Sequence, residues 1–389
     1  MKVQLTEASM WSVGFRPFFI LVLLSAVTTT PIWVFRITGF SSFDFMPFSP
    51  NQWHANEMIF GFLTAAIIGF LLTASANWTN TRGIHGAPLL IAFSVFLFAR
   101  IIFWTTPFES IWVYQLVGAL VPIFVVLHLA RLFVRTKNSR NLILTVPLLT
   151  LVFAQYCILT SRYSFGYELG LYAVRFIVVI IAGRVIPFFT KTALKLDPKW
   201  THPYLEKLTM ITVFLLIFEP FYRQEPSLGS PIWVGLTTLA LILNVYRLIS
   251  WRFLQSYNVK ILFILYLAYL WLPIHFALSL ASRFELISEL GKPAIHSLAY
   301  GCMGIMILGI IHRVTLGHTG RKIHASNLSL AGYLMITLGS LLRVFGPLLN
   351  PEHYMLWLML SGALWVLAFT TIGFEIVPML VTPRADGKG

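Results

Sequence analysis

From Met58 to Ser75 the chain runs through 18 residues without a charge (MIFGFLTAAIIGFLLTAS). A helix rises about 1.5 Å per residue, so this run alone nearly crosses a hydrocarbon layer of about 30 Å. Runs of this kind recur along the chain, and they constrain its fold more than any other feature. Twelve are of spanning length, at 17–37, 57–76, 87–104, 111–130, 141–160, 168–189, 203–221, 231–250, 261–281, 293–312, 327–346 and 355–380. Turn chemistry at Asp197-Pro198, Glu225-Pro226 and Asn350-Pro351 marks several of their ends. The expected fold class is all-α: a polytopic membrane protein of about twelve transmembrane helices, one integral-membrane domain over residues 1–389.

Composition excludes most other classes. Charged residues make up 11% of the chain, against about 25% in ordinary soluble domains, and a mean hydropathy of +0.80 leaves no room for a sizeable soluble domain. The first run, from Pro17 to Ile37, is too long for the apolar core of a cleaved signal and is expected to stay as the first span. Cys157 and Cys302 both lie in apolar runs, so no disulfide framework is implied. The net charge of +14 does not point to nucleic acid, because the basic residues sit in short loops between the runs. With the N-terminus inside, 17 Lys and Arg fall on the inner side and 4 on the outer. That asymmetry places both termini in the cytoplasm. No internal repeat is visible in the letters.

This topology sorts the ten histidines by depth. His54, His275 and His296 fall towards the outer face, and His353 opens the last span. His85, His128, His202, His312, His318 and His324 fall towards the inner face. His54 and Glu57 stand three apart at the mouth of the second span, beside Trp53, and share one helical face. Two readings of that group stand. Trp53 and His54 anchor the interface while Glu57 favours the helix N-terminus, or the imidazole and carboxylate belong to a metal or haem site. Arg175 lies deep in the sixth span, where a charge is costly and marks function. Arg184 lies near the inner end of the same span. No CxxC, CxxCH, HExxH or phosphate-binding glycine loop occurs, which argues against c-type haem, zinc proteolysis and nucleotide hydrolysis.

Five segments carry a resemblance. They are GFRPFF (14–19), WHANEMIFGFLTAAIIGFLLTASANWT (53–79), GRVIPFFT (183–190), LGHTGR (316–321) and PRADG (383–387). In this order the chain resembles the NnrS family, bacterial inner-membrane proteins associated with haem, copper and the nitric oxide response. The resemblance implies b-type haem, copper as a further metal, nitric oxide or a related small molecule as partner, and a multi-pass place in the bacterial cytoplasmic membrane among its lipids. It carries over to His54 and Glu57 in the second motif, to His296 and His318 at the tenth span, and to Arg16 and Arg184 in theirs. The cofactor-binding set it implies is His54, His296, His318 and Arg184. The candidate metal donors are His54, Glu57 and His296, with His275 and His312 as further histidines outside the motifs. Where the family block reads WHAHE this chain has Asn56 in place of the second histidine. The competing expectation is a cofactor-free secondary transporter, which buried Arg175 and glycine- and proline-interrupted helices would suit. A membrane nitric oxide reductase fits less well, since the sequence identifies neither an electron donor nor a proton path.

Overall fold

The computed structural model describes residues 9–40, 48–105, 111–160, 162–196, 202–222, 229–284 and 291–387. Those residues form helices and no strand. The spans are α1 (Phe15–Ile37), α2 (Pro50–Thr79), α3 (Ala87–Thr105), α4 (Ile111–Arg135), α5 (Ser139–Ile158), α6 (Tyr163–Leu194), α8 (Pro231–Ser250), α9 (Lys260–Arg283), α10 (Gly291–His318), α11 (Asn327–Leu349) and α12 (Pro351–Val381). These 11 are long and apolar enough to cross a bilayer, so the chain is a multi-pass membrane protein. The expected seventh span is present as α7, but broken: Pro203–Leu215 is α-helical, Leu216–Phe218 tightens into a 3₁₀ turn, and Glu219–Tyr222 resumes. The expected turns at Asp197-Pro198 and Glu225-Pro226 lie outside the described residues. Asn350-Pro351 does separate α11 from α12.

Two boundaries bear on function. The second helix starts at Pro50, well before the expected residue 57. Ser49 and Gln52 form a capping box, each side chain bonded to the other's backbone N–H, and Pro50 begins the first turn. His54 and Glu57 are therefore inside the helix rather than at its mouth. The tenth span reaches His318 instead of ending at residue 312, so His312 and His318 are helical.

Both α2 and α10 change character just past their histidine. Residues Glu57–Leu63 in α2 and Ser297–Gly304 in α10 are π-helical, with hydrogen bonds five residues back instead of four. In α2 the wider turn is served by Thr64, whose hydroxyl donates to the Ile59 carbonyl at 2.8 Å.

The helices also recur in cycles of four, a regularity that the letters did not show. The second helix of each cycle (α2, α6, α10) has 83%, 78% and 72% of its apolar window buried, and the first (α1, α5, α9) 56%, 56% and 67%. The fourth (α4, α8, α12) has 39% each time, and α3 and α11 have 33% and 44%. From 54 to 175 and from 175 to 296 the interval is 121 residues, and those positions hold His54, Arg175 and His296, one on each deeply buried helix.

Contacts divide the chain into two compact units. The first comprises residues 1–173, 314–322 and 373–389, and the second 174–313 and 323–372.

Candidate functional site

In the first unit, Glu57 is the hub of a buried polar cluster. Arg100 and Trp104, four residues apart and so on one face of α3, both reach it. Arg100 Nη1 donates to Oε1 at 2.9 Å and Trp104 Nε1 to Oε2 at 2.8 Å. Asn56 Nδ2 donates to Oε1 at 3.0 Å, while its own Oδ1 accepts from Gln155 Nε2 on α5 at 3.4 Å. Glu57 is 1% exposed and Arg100 11%, so the pair is withdrawn from water and holds because each charge has the other. The Arg100 guanidinium also lies over the Phe103 ring at 4.6 Å. One turn earlier, the His54 imidazole is stacked on Trp33 of α1, with ring centroids 4.0 Å apart. Trp53 is fully buried edge-on to Trp104. Glu57, expected as a candidate metal donor, thus spends both oxygens on protein N–H groups.

Three of the five motifs meet at the other end of this unit. Arg16 of GFRPFF donates through Nη1 to the carbonyls of Leu380 (2.9 Å), Thr382 (2.7 Å) and Met379 (3.4 Å), which caps the end of α12. Arg384 of PRADG donates to the His318 carbonyl of LGHTGR at 2.9 Å and grips Asp386 with Nε at 2.9 Å and Nη2 at 2.6 Å. The Asp386 carboxylate holds the Arg384 guanidinium above its ordinary pKa. Ala385 N–H donates to the Thr319 carbonyl at 2.9 Å. Gly320 sits at φ +71°, and a Cβ there would overlap the Asp386 carboxylate, so glycine is required on both counts. The His318 ring rests near Phe15, with centroids 5.5 Å apart.

In the second unit the remaining expected residues take separate positions. Arg175 on α6, 2% exposed, donates through Nη1 to His275 Nε2 at 3.1 Å and through Nη2 to the Leu216 carbonyl at 2.8 Å. That carbonyl belongs to the break in α7, and Glu219 just beyond it lies 3.6 Å from Nη2. The buried cation thus caps an interrupted helix beside a carboxylate. His275 Nδ1 faces the Ala294 carbonyl at 2.8 Å, and His296 Nδ1 the Lys292 carbonyl at 2.8 Å. A carbonyl only accepts, so in both rings Nδ1 carries the proton and Nε2 the lone pair. For His296 that lone pair meets Arg343 Nη2 of α11 at 2.9 Å. His312 is fully buried, with Nδ1 2.6 Å from the Tyr333 hydroxyl.

The GRVIPFFT motif serves packing within this second unit. A Cβ at Gly183 would overlap Nη2 of Arg247, which binds Glu206, Tyr269 and the Val179 carbonyl. Thr190 meets the Tyr266 hydroxyl at 2.8 Å. Arg184, half-buried, follows Gly183 on α6.

Among the described residues no group of three or more His, Cys, Asp or Glu side chains is close enough to hold a metal ion. The candidate donors therefore do not form a ready-made chelate. The tautomers of His275 and His296 nevertheless suit ligation, because Nδ1–H on a backbone carbonyl is the arrangement that aims Nε2 at a metal. In each ring a guanidinium, itself a cation, stands where the metal would. Of the two, His296 would be better placed to hold such a group, its Nε2 facing the Arg343 guanidinium of α11. His275 fits less well, since Arg175 is held from two further sides. Arg100, Trp104, Asn56 and Gln155 were not read from the sequence as one group. The signals were Arg100 and Trp104 at helical spacing and a lone Gln155 in an apolar run.

No curated protein matches the chain. A family model described as NnrS protein matches residues 9–384, nearly its whole length. The chain belongs to the NnrS family, membrane proteins tied to the nitric oxide response.

Proposed function

We propose that the protein binds b-type haem in the bacterial cytoplasmic membrane and serves resistance to nitric oxide, with copper as a further metal that rests on the family alone. The observation that carries the haem reading is His296. Its Nδ1 is pinned to the Lys292 carbonyl, its Nε2 lone pair faces a cation, and the π-helical segment begins at the next residue. π-Helical turns of this kind concentrate at functional sites. The same placement recurs in α2, where the π segment follows His54 within one turn. His54, in the first unit, is a separate candidate for holding haem, oriented by its stack on Trp33. Glu57, three residues on, is neutralised by its pair with Arg100 and serves to hold α2 against α3. Haem, when bound, supplies an iron whose open position takes nitric oxide.

The test is the absorption spectrum of protein purified in detergent from cells supplied with haem, oxidised, reduced, and after nitric oxide. A Soret band with b-type reduced features that shifts with nitric oxide is expected. His296→Ala and His54→Ala, each made separately, should lower haem per chain, and unchanged occupancy in either removes that residue as a ligand. A second reading, a cofactor-free transporter, is favoured by the broken α7 with Arg175 bonded into its break. It expects a colourless protein.

A further inference from the structure

We propose that the meeting point of the GFRPFF, LGHTGR and PRADG motifs is a binding site for the phosphate of an anionic phospholipid. The argument starts from charge. The segments 14–19, 316–322 and 382–387 contain Arg16, Arg321, Lys322 and Arg384, and one carboxylate, Asp386. That carboxylate is bound by two nitrogens of Arg384. Arg16 is 3% exposed, yet its acceptors are backbone carbonyls alone, all taken by Nη1. Among the described residues neither its Nε nor its Nη2 has a protein acceptor. A buried cation without a counter-ion is costly, and protein interiors pair such groups.

Arg321 is its neighbour. Both reach Thr382: Arg16 at the carbonyl, Arg321 at the hydroxyl with a long 3.5 Å contact, and among the described residues the Arg321 guanidinium otherwise meets only the Thr319 carbonyl at 3.3 Å. These contacts are at the edge of hydrogen-bonding range and leave the guanidinium able to turn. Two guanidiniums with unspent N–H groups, one on the Thr382 carbonyl and one on its hydroxyl, suit a tetrahedral anion, for which arginine forks are matched. The scaffold is rigid, because Gly320 and the two backbone contacts of the tail fix the loop and the C-terminal segment together.

A lipid is favoured over free phosphate by what adjoins the site. Phe374, Val377 and Val381 are exposed along one side of α12 and lead directly to Thr382. An acyl chain lying on that side brings its phosphate to Arg321 and Arg16. The basic-loop asymmetry puts this end at the inner leaflet, where anionic headgroups and basic clusters meet.

The whole chain in detergent is titrated with phosphatidylglycerol, phosphatidylcholine or inorganic phosphate, and binding is read by native mass spectrometry and the thermal midpoint. Phosphatidylglycerol should remain bound and raise the midpoint, and phosphatidylcholine should not. Arg321→Gln, whose native contacts are long, should keep the fold and weaken phosphatidylglycerol about fivefold, the worth of one basic residue at an anionic surface. Arg140→Gln, exposed in the first turn of α5 and away from these motifs in the sequence, should change nothing. Equal affinity in wild type and Arg321→Gln overturns the site. So does an equal loss in Arg140→Gln, which would mean general surface charge. A response to inorganic phosphate without one to phosphatidylglycerol overturns the lipid as its source.

Discussion

Replacing Glu57 with alanine should be among the most damaging single changes to this protein, and the structure gives the size. The carboxylate accepts from Arg100, Trp104 and Asn56 at 2.8–3.0 Å with 1% exposure. Its removal strands a guanidinium that is only 11% exposed, together with an indole N–H and an amide. Breaking a buried pair by deleting one partner costs about 3–5 kcal/mol. Each stranded neutral donor costs about 1–3 kcal/mol more, less whatever repacking recovers. A net loss of about 4 kcal/mol is expected, which for a chain of 389 residues lowers the apparent melting midpoint by about 5 °C. The assay is a thermal series in detergent read by size-exclusion fluorescence, with Glu57→Ala, Arg100→Met and the double variant. If the pair holds as described, Arg100→Met placed on top of Glu57→Ala removes the stranded charge and recovers about 2 kcal/mol. Simple additivity of the two single changes, or a Glu57→Ala midpoint within about 1 °C of wild type, would refute the reasoning.

Gly183→Ala should cost about 1–3 kcal/mol by overpacking, because its Cβ enters the space of the Arg247 guanidinium. An unchanged melting midpoint would show that Arg247 has room to move. Asn56→His restores the imidazole of the family block and removes the amide that bridges Glu57 and Gln155. Elemental analysis should find more copper per chain in that variant, and no gain would show that the position does not ligate metal.

The membrane fold was legible because a spanning helix needs a long apolar run and little else. Arg175 was legible as a charge that needs a reason, and the structure supplies one in Glu219, His275 and the broken α7. The start of α2 was misjudged because hydropathy begins after Glu57, whereas the helix begins where Ser49 and Gln52 cap it. That box was present in the letters, but the apolar pattern outweighed it. The Glu57 cluster and the motif meeting at Thr382 were not legible. Each joins residues far apart in the chain, such as Arg16 and Thr382, and local periodicity says nothing of such pairs. The π segments were hidden too, since EMIFGFL and SLAYGCMG have the composition of any buried helix.

Those two segments change how α2 and α10 should be thought of as shafts. Fitting one extra residue into a turn puts the helix above it out of phase with the helix below by about 100°. His54 is therefore keyed at a different angle from Thr64–Thr79 than a count of residues implies, and His296 likewise from Ile305–His318. A helical wheel drawn through either full span assigns the wrong lower residues to the histidine's side. Each shaft is two rods joined by a coupling, and the imidazole in each case sits on the short rod.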